Sequence, residues 1–238
     1  KRANTWIDRS PTLLQDLSGQ LPASTTGLGN AEYPAADVVV HLAANAKVHQ
    51  LVKEPHRALE NIAVTFNVLE YCRLSRTPII FSSSREVYGD IHRFSTAEAS
   101  ADFAYTESTY SASKIGADKL AESYFRSFGT SVVTVRPFNT FGPRQSTRAF
   151  IPTIISQALA GDTVRLGSLT PTRDMTYARD TAEGFICAAT APGVEGETIN
   201  LGTGEMHSIG DFATRILALM GSKAVVTSNE DRMRPAAS

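Results

Sequence analysis

At 238 residues and 42% hydrophobic side chains, the chain can bury a full core, as one large domain or one with a small lobe. A net charge of −1 offers no basic surface for nucleic acid or for an anionic membrane. It contains no run of about 18 apolar residues and its N-terminus lacks a signal-peptide core, so a cytoplasmic protein is expected.

In chain order, Asp37-Val-Val-Val-His-Leu-Ala-Ala44 is a short apolar run ending in small residues, the pattern of a buried parallel strand. A helix is predicted over residues 57–74, with Leu59, Ile62, Ala63, Phe66, Leu69 and Tyr71 on its apolar face. A strand over 78–82 follows, then a helix over 111–128 that Gly129 suits as C-terminal cap. A strand over 131–136 and a helix over 152–159 come next. This alternation predicts a Rossmann-like, doubly wound α/β sheet over residues 1–160.

Past residue 160, short segments (Val164-Arg-Leu and Thr198-Ile-Asn-Leu) mix with helices over 180–190 and 208–220. Ser208-Ile-Gly-Asp211 reads as a capping-box variant opening the last helix. Residues 161–238 are expected to form mainly a small lobe over the strand ends. Cys72 and Cys187 sit in apolar helical patterns and read as buried, reduced thiols. The histidines show no metal-ligand spacing, so no metal is assigned.

The chemistry-bearing residues begin with Tyr110-Ser-Ala-Ser-Lys114. Four residues apart on a helix, tyrosine and lysine share one face. A free phenol, with a pKa of about 10, is a poor base at neutral pH, and a nearby ammonium favours its ionised form. Ser84, closing Phe81-Ser-Ser-Ser84 at the end of a predicted strand, could hydrogen-bond the same reacting oxygen. The set suits removal of a proton from a sugar or alcohol hydroxyl while a hydride leaves the adjacent carbon.

With His41-Leu-Ala-Ala44, Val87-Tyr-Gly89, Arg136-Pro-Phe-Asn139, Thr172-Arg-Asp174 and Arg234-Pro235 in the same order, the chain resembles the extended short-chain dehydrogenase/reductases. Within them it looks like the NAD-dependent nucleotide-sugar epimerases and dehydratases. The resemblance implies NAD as cofactor, a nucleotide-diphosphate sugar as substrate, a homodimer, and a substrate-binding role for the C-terminal lobe. It makes Tyr110 the base, Ser84 a hydrogen-bond partner of the substrate oxygen, and Lys114 the group that lowers the Tyr110 pKa and bonds the nicotinamide ribose. Leu42, Ala43 and Ala44 become cofactor contacts. Asp8 would hold the adenosine ribose, favouring NAD over NADP, and Asp16 would sit on the adenine side. Asn139, Arg173 and Arg234 match diphosphate and substrate contacts, with Arg232 an alternative to Arg234. Asn61 matches an asparagine of the family helix in a structural role. The family's opening strand and glycine-rich turn have no counterpart here, which implies that a first strand and helix precede the chain and that its C-terminus stops early.

The two residues after Ser84 bear on the reaction. In the resembling 4,6-dehydratases these are commonly an acidic or hydroxyl-bearing residue and then a glutamate, which takes the C5 proton. Here they are Arg85 and Glu86, and Arg85 cannot donate a proton near neutral pH. A 4-epimerase needs no acid there, so 4-epimerisation of a UDP-sugar is favoured. Dehydration remains the alternative, because residues 166–174 and 231–235 look more like amino-sugar dehydratases. A third option has Arg85 pairing with a carboxylate at C6, which points to a UDP-uronic acid being epimerised or decarboxylated. A non-catalytic dinucleotide- or partner-binding protein is the reading from another class.

Overall fold

The computed structural model describes residues 36–89 and 106–228. Asp8, Asp16 and Arg234, with the strands expected around the first two, lie outside those residues.

The first described strand, β1 (Val39–His41), leads through a short α1 (Val48–Lys53) into the long α2 (His56–Ser75). The apolar, β-branched run after Pro78 forms β2 (Ile79–Ser82), and a single 3-10 turn (Arg85–Tyr88) follows it. Helix α3 (Thr109–Phe128) starts two residues earlier than predicted, because Ser108 caps it. The Ser108 hydroxyl accepts from Ser111 N and the Ser111 hydroxyl accepts from Ser108 N, each at 3.1 Å. Tyr110 is thereby fixed in the first helical turn. Gly129 ends the helix with a left-handed φ of 66°, as expected.

The chain continues through β3 (Val132–Pro137), β4 (Asn139–Phe141), α4 (Phe150–Ala160) and β5 (Thr163–Leu166). It then forms β6 (Thr172–Arg173), β7 (Met175–Tyr177), α5 (Ala178–Thr190) and β8 (Thr198–Leu201). β9 (His207–Ser208), α6 (Ile209–Met220) and β10 (Val225–Ser228) complete it. The capping box expected at Ser208 is present, with the Asp211 side chain answering the Ser208 backbone N–H.

The main sheet has the order β1-β2-β3-β8, parallel throughout, with Val39 opposite Ile79, Ile79 opposite Val132 and Val135 opposite Ile199. Its two faces follow the period of two along each strand. Ile79, Phe81 and Val132 pack with Leu69, Cys72, Ala117, Ala121 and Tyr124 of α2 and α3. Ile80, Val133 and Val135 pack with Phe185 and Ala188 of α5. Helices on both faces make the doubly wound α/β architecture expected from the sequence. A second core joins α4, β5, α6 and β10 through Ile154, Val164, Leu166, Ile209, Ala213 and Leu217, with β5 and β10 paired in parallel. Two smaller pairings, β4 with β7 and β6 with β9, complete the sheets.

Four expectations need correction. The division near residue 160 is crossed, because α5 and β8 return to the main sheet after α4 and β5 have left it. A four-residue strand carries no local sign of which sheet it will join, since pairing partners are set by distant residues. Cys72 is buried, and burial pushes its thiol up to about 12, but Cys187 is exposed. The buried face of α5 runs through Phe185 and Ala188, which turns Cys187 away. The run through Ala44 is strand only over β1, and Leu42, Ala43 and Ala44 are exposed. On α2, Leu59 is 68% exposed, while the polar Asn61 and Thr65 are buried for reasons given below.

Candidate active site

Apart from Arg173, which lies in β6, each candidate residue within the described chain follows the C-terminal end of a strand or sits on α3. Leu42–Ala44 follow β1, Ser84–Glu86 follow β2, and Asn139 follows β3. In open parallel α/β sheets this edge is where ligands bind.

Tyr110 is 8% exposed and Lys114 5% exposed. Ser84 is extended (φ −162°, ψ 151°) and its hydroxyl accepts from Glu86 N at 3.2 Å, opening the 3-10 turn. Burial raises the Tyr110 phenol above its ordinary value. A hydrogen bond with Ser84 works against that rise, and the negative charge of Glu86 adds to it. The Lys114 ammonium donates to Ser82 O at 2.8 Å and lies 5.3 Å from the centre of the Phe81 ring. Burial lowers Lys114 to about 8, and Asp118 one turn along α3 opposes that fall. An ammonium has three donors, so two N–H groups remain beyond the bond to Ser82.

Sequence-adjacent Arg85 and Glu86 pair directly, Nη2 to Oε1 at 2.7 Å, with side chains 16% and 24% exposed. This pair places a cation on the acid whose charge acts on Tyr110.

Polar groups of α2 support the site. Asn61 accepts from Asn45 N at 2.7 Å and donates to the Ser113 hydroxyl at 3.0 Å, and Ser113 donates to Tyr110 O at 2.7 Å. This hydrogen-bonded chain ties the loop after β1 to the first turn of α3, the structural role expected of Asn61. The Thr65 hydroxyl gives its single proton to Asn61 O at 2.8 Å, so in its 3.1 Å contact with His41 Nε2 the imidazole must donate. Burial, reinforced by Lys114, lowers His41 to about 4, and it stacks on Phe81 at 5.8 Å.

A second group of residues lies around Asp174, whose role was not assigned from the sequence. Its buried carboxylate accepts from Thr203 N at 2.9 and 3.0 Å, from the Thr203 hydroxyl at 2.7 Å and from Gly204 N at 2.8 Å. A Cβ on Gly202 would lie 2.6 Å from Asp174 Oδ2, so the close approach requires glycine. The Asp174 carbonyl accepts from Asn139 N at 3.2 Å, and the neighbouring Arg173 donates to Thr172 O at 2.7 Å. Asn139 Oδ1 is buried without a hydrogen-bond partner.

The sequence pattern described as the NAD dependent epimerase/dehydratase family matches residues 30–202. The chain belongs to that family. NAD is the family's cofactor, and the described residues fit its nicotinamide end. Lys114 keeps two donors, and Leu42–Ala44 are exposed where the chain leaves β1, the strand paired with β2. The chain is 30% identical to an uncharacterised UDP-glucose epimerase of Bacillus subtilis over 194 residues, 80% of this chain and 60% of that protein. It is 34% identical to a dTDP-glucose 4,6-dehydratase of Mycobacterium tuberculosis over 148 residues, 61% of this chain and 45% of that enzyme. The chain thus spans about half to three-fifths of these relatives. Among solved structures, a Thermus thermophilus UDP-glucose 4-epimerase in complex with NAD superposes with a TM-score of 0.74 at 26% identity. The match covers 85% of this chain and 67% of that one.

Proposed function

We propose that the protein is an NAD-dependent 4-epimerase of a UDP-sugar, working through a 4-keto intermediate. The observation that carries this reading is the 2.7 Å pairing of Glu86 with Arg85. A dehydratase needs a glutamate free to take the C5 proton and a neighbour able to protonate the leaving hydroxyl. Here the glutamate is engaged by a guanidinium that has no proton to give. Epimerisation asks neither task of these positions.

In this reading Tyr110 takes the proton of the C4 hydroxyl, Ser84 shares that oxygen, and Lys114 bonds the ribose of the cofactor through its remaining N–H groups. Bound NAD supplies the acceptor, and then the donor, of the C4 hydride. The unpartnered Asn139 Oδ1 and the Arg173 guanidinium serve the sugar and its diphosphate, and Arg234 is proposed with them. A homodimer built on α2 and α3 accompanies the reading, supported by the exposed Leu59, Phe125 and Phe128 on those helices.

A second substrate follows from Arg85 itself. A half-buried guanidinium already paired with a carboxylate beside Ser84 suits a UDP-uronic acid, whose C6 carboxylate would replace Glu86 as partner.

The test incubates the full-length protein with UDP-glucose, UDP-N-acetylglucosamine, UDP-glucuronic acid and dTDP-glucose, and identifies products by chromatography and mass. A C4 epimer of unchanged mass supports the reading. Loss of water, giving a 4-keto-6-deoxy sugar, would make it a dehydratase. No turnover, with bound NAD recovered from the denatured protein, would leave a binding protein.

A further inference from the structure

Behind Lys114, on the side away from the substrate edge, lies a buried network that the proposed reaction does not use. Asp118, one turn along α3, is 4% exposed, and Arg136 of β3 is equally buried. Arg136 donates to Asp118 Oδ2 through Nε at 2.9 Å and through Nη2 at 2.7 Å. Its Nη1 donates to the Tyr88 hydroxyl at 3.0 Å, and its guanidinium lies 5.1 Å from that ring's centre. Tyr88 spends its own proton on Asn200 Oδ1 of β8, at 2.8 Å. Two charges, a phenol and an amide from four separate elements are thus connected by direct hydrogen bonds. Such burial is costly, and replacing a buried ion pair with apolar residues often costs nothing, so stability alone is a weak reason for it.

We infer that Asp118 is a positioning residue that keeps Lys114 charged and drawn toward the Ser82 carbonyl, with Arg136 and Tyr88 holding Asp118 in place. The inference rests on the reading of Lys114 as the lysine of the active site. The spacing of four residues sets Lys114 and Asp118 on one helical face. Among the described residues, the ammonium buried among Phe81, the Ser82 carbonyl and His41 has no other anion of its own. Glu86 acts on Tyr110 and is neutralised by Arg85, while α2 contributes the uncharged Asn61 and Thr65 and α1 meets the helix at Thr109. Asp118 is the acid whose charge opposes the loss of the Lys114 proton. Burial raises the Asp118 carboxyl, and Arg136, through its charge and its hydrogen bonds, opposes that rise.

The experiment titrates the full-length protein by NMR of lysine labelled at 13Cε, with the Lys114 resonance assigned by its loss in Lys114→Met. Asp118→Asn is expected to lower the Lys114 midpoint by roughly one pH unit or more. The alkaline limb of the turnover profile should move down with it. Should Asp118→Asn fail to fold because Arg136 is stranded, the double variant Asp118→Leu with Arg136→Met removes both charges and decides the matter. A midpoint at or above the wild-type value in a folded variant would overturn the proposal and leave the network structural. Because the NMR midpoint is read without substrate, absence of nucleotide-sugar turnover would count against the proposed function alone.

Discussion

Arg85 and Glu86, neighbours in sequence, bond to each other at 2.7 Å immediately after Ser84, so the acid whose charge acts on Tyr110 carries its own counter-ion. Glu86 nevertheless raises the Tyr110 phenol, which gives the pair a pH signature. Glu86→Gln removes that negative charge, so the tyrosine should ionise at lower pH and the acidic limb of the turnover profile should move down. Arg85→Ala unmasks Glu86 and should move the same limb up. For an epimerase, Glu86→Gln should retain turnover within about tenfold. A loss of the 10²–10⁴-fold size associated with removing a general base would place Glu86 in the chemistry and favour dehydration.

On the proposed roles of Tyr110 as base and Lys114 as ribose partner, Tyr110→Phe should reduce turnover by about 10²–10⁴-fold while leaving bound NAD unchanged. Measuring released NAD alongside turnover separates the two roles. Loss of both would show that the hydroxyl has a structural function in α3.

His41 gives a stability signature. Its folded-state value of about 4 lies below the ordinary 6.5, so the unfolded chain binds the extra proton first as pH falls. Its stabilisation is therefore complete above about 6.5 and declines as pH falls through that value toward 4, by about 3 kcal/mol in all. Denaturant midpoints at pH 7.5 and 4.5 should show this loss in the wild type and a smaller one in His41→Gln. Equal slopes in both proteins would remove His41 from the account.

Gly202→Ala places a methyl group 2.6 Å from Asp174 Oδ2 and must break part of the carboxylate's hydrogen bonding to Thr203 and Gly204. Destabilisation of about 1–3 kcal/mol is expected, a fall in Tm of roughly 2–12 °C for a chain of this size. If the Tm is unchanged, the turn can move away and does not fix Asp174.

What the sequence made legible was local. Ile79-Ile-Phe-Ser82 and Val132-Val-Thr-Val135 could be assigned as strands because buried parallel strands leave continuous apolar runs. The Tyr110–Lys114 spacing placed both residues on one helix face, and Gly129 marked where that helix stops. Thr198–Leu201 was assigned to the lobe because nothing within four residues says that its partner is Val132–Pro137. The same limit hid the Asp118–Arg136 pair, which joins residues 18 apart in sequence on different elements. It also hid the turn from Lys114 to the Ser82 carbonyl, 32 residues back. Leu59 and Cys187 failed for another reason: hydrophobicity alone does not say which arc of a helix the sheet covers, and on α2 the covered arc carries Asn61 and Thr65.

The return of the chain to the main sheet bears on how the protein can be made. Until Thr198–Leu201 has emerged from the ribosome, the outer side of β3 has no strand to pair with, although β2 and β3 are already complete. During that interval the nascent chain presents a bare strand edge, the kind of surface that pairs with other chains. Truncation ahead of residue 198 should therefore produce aggregates rather than a smaller folded domain, and slow translation through residues 138–197 would lengthen the exposure.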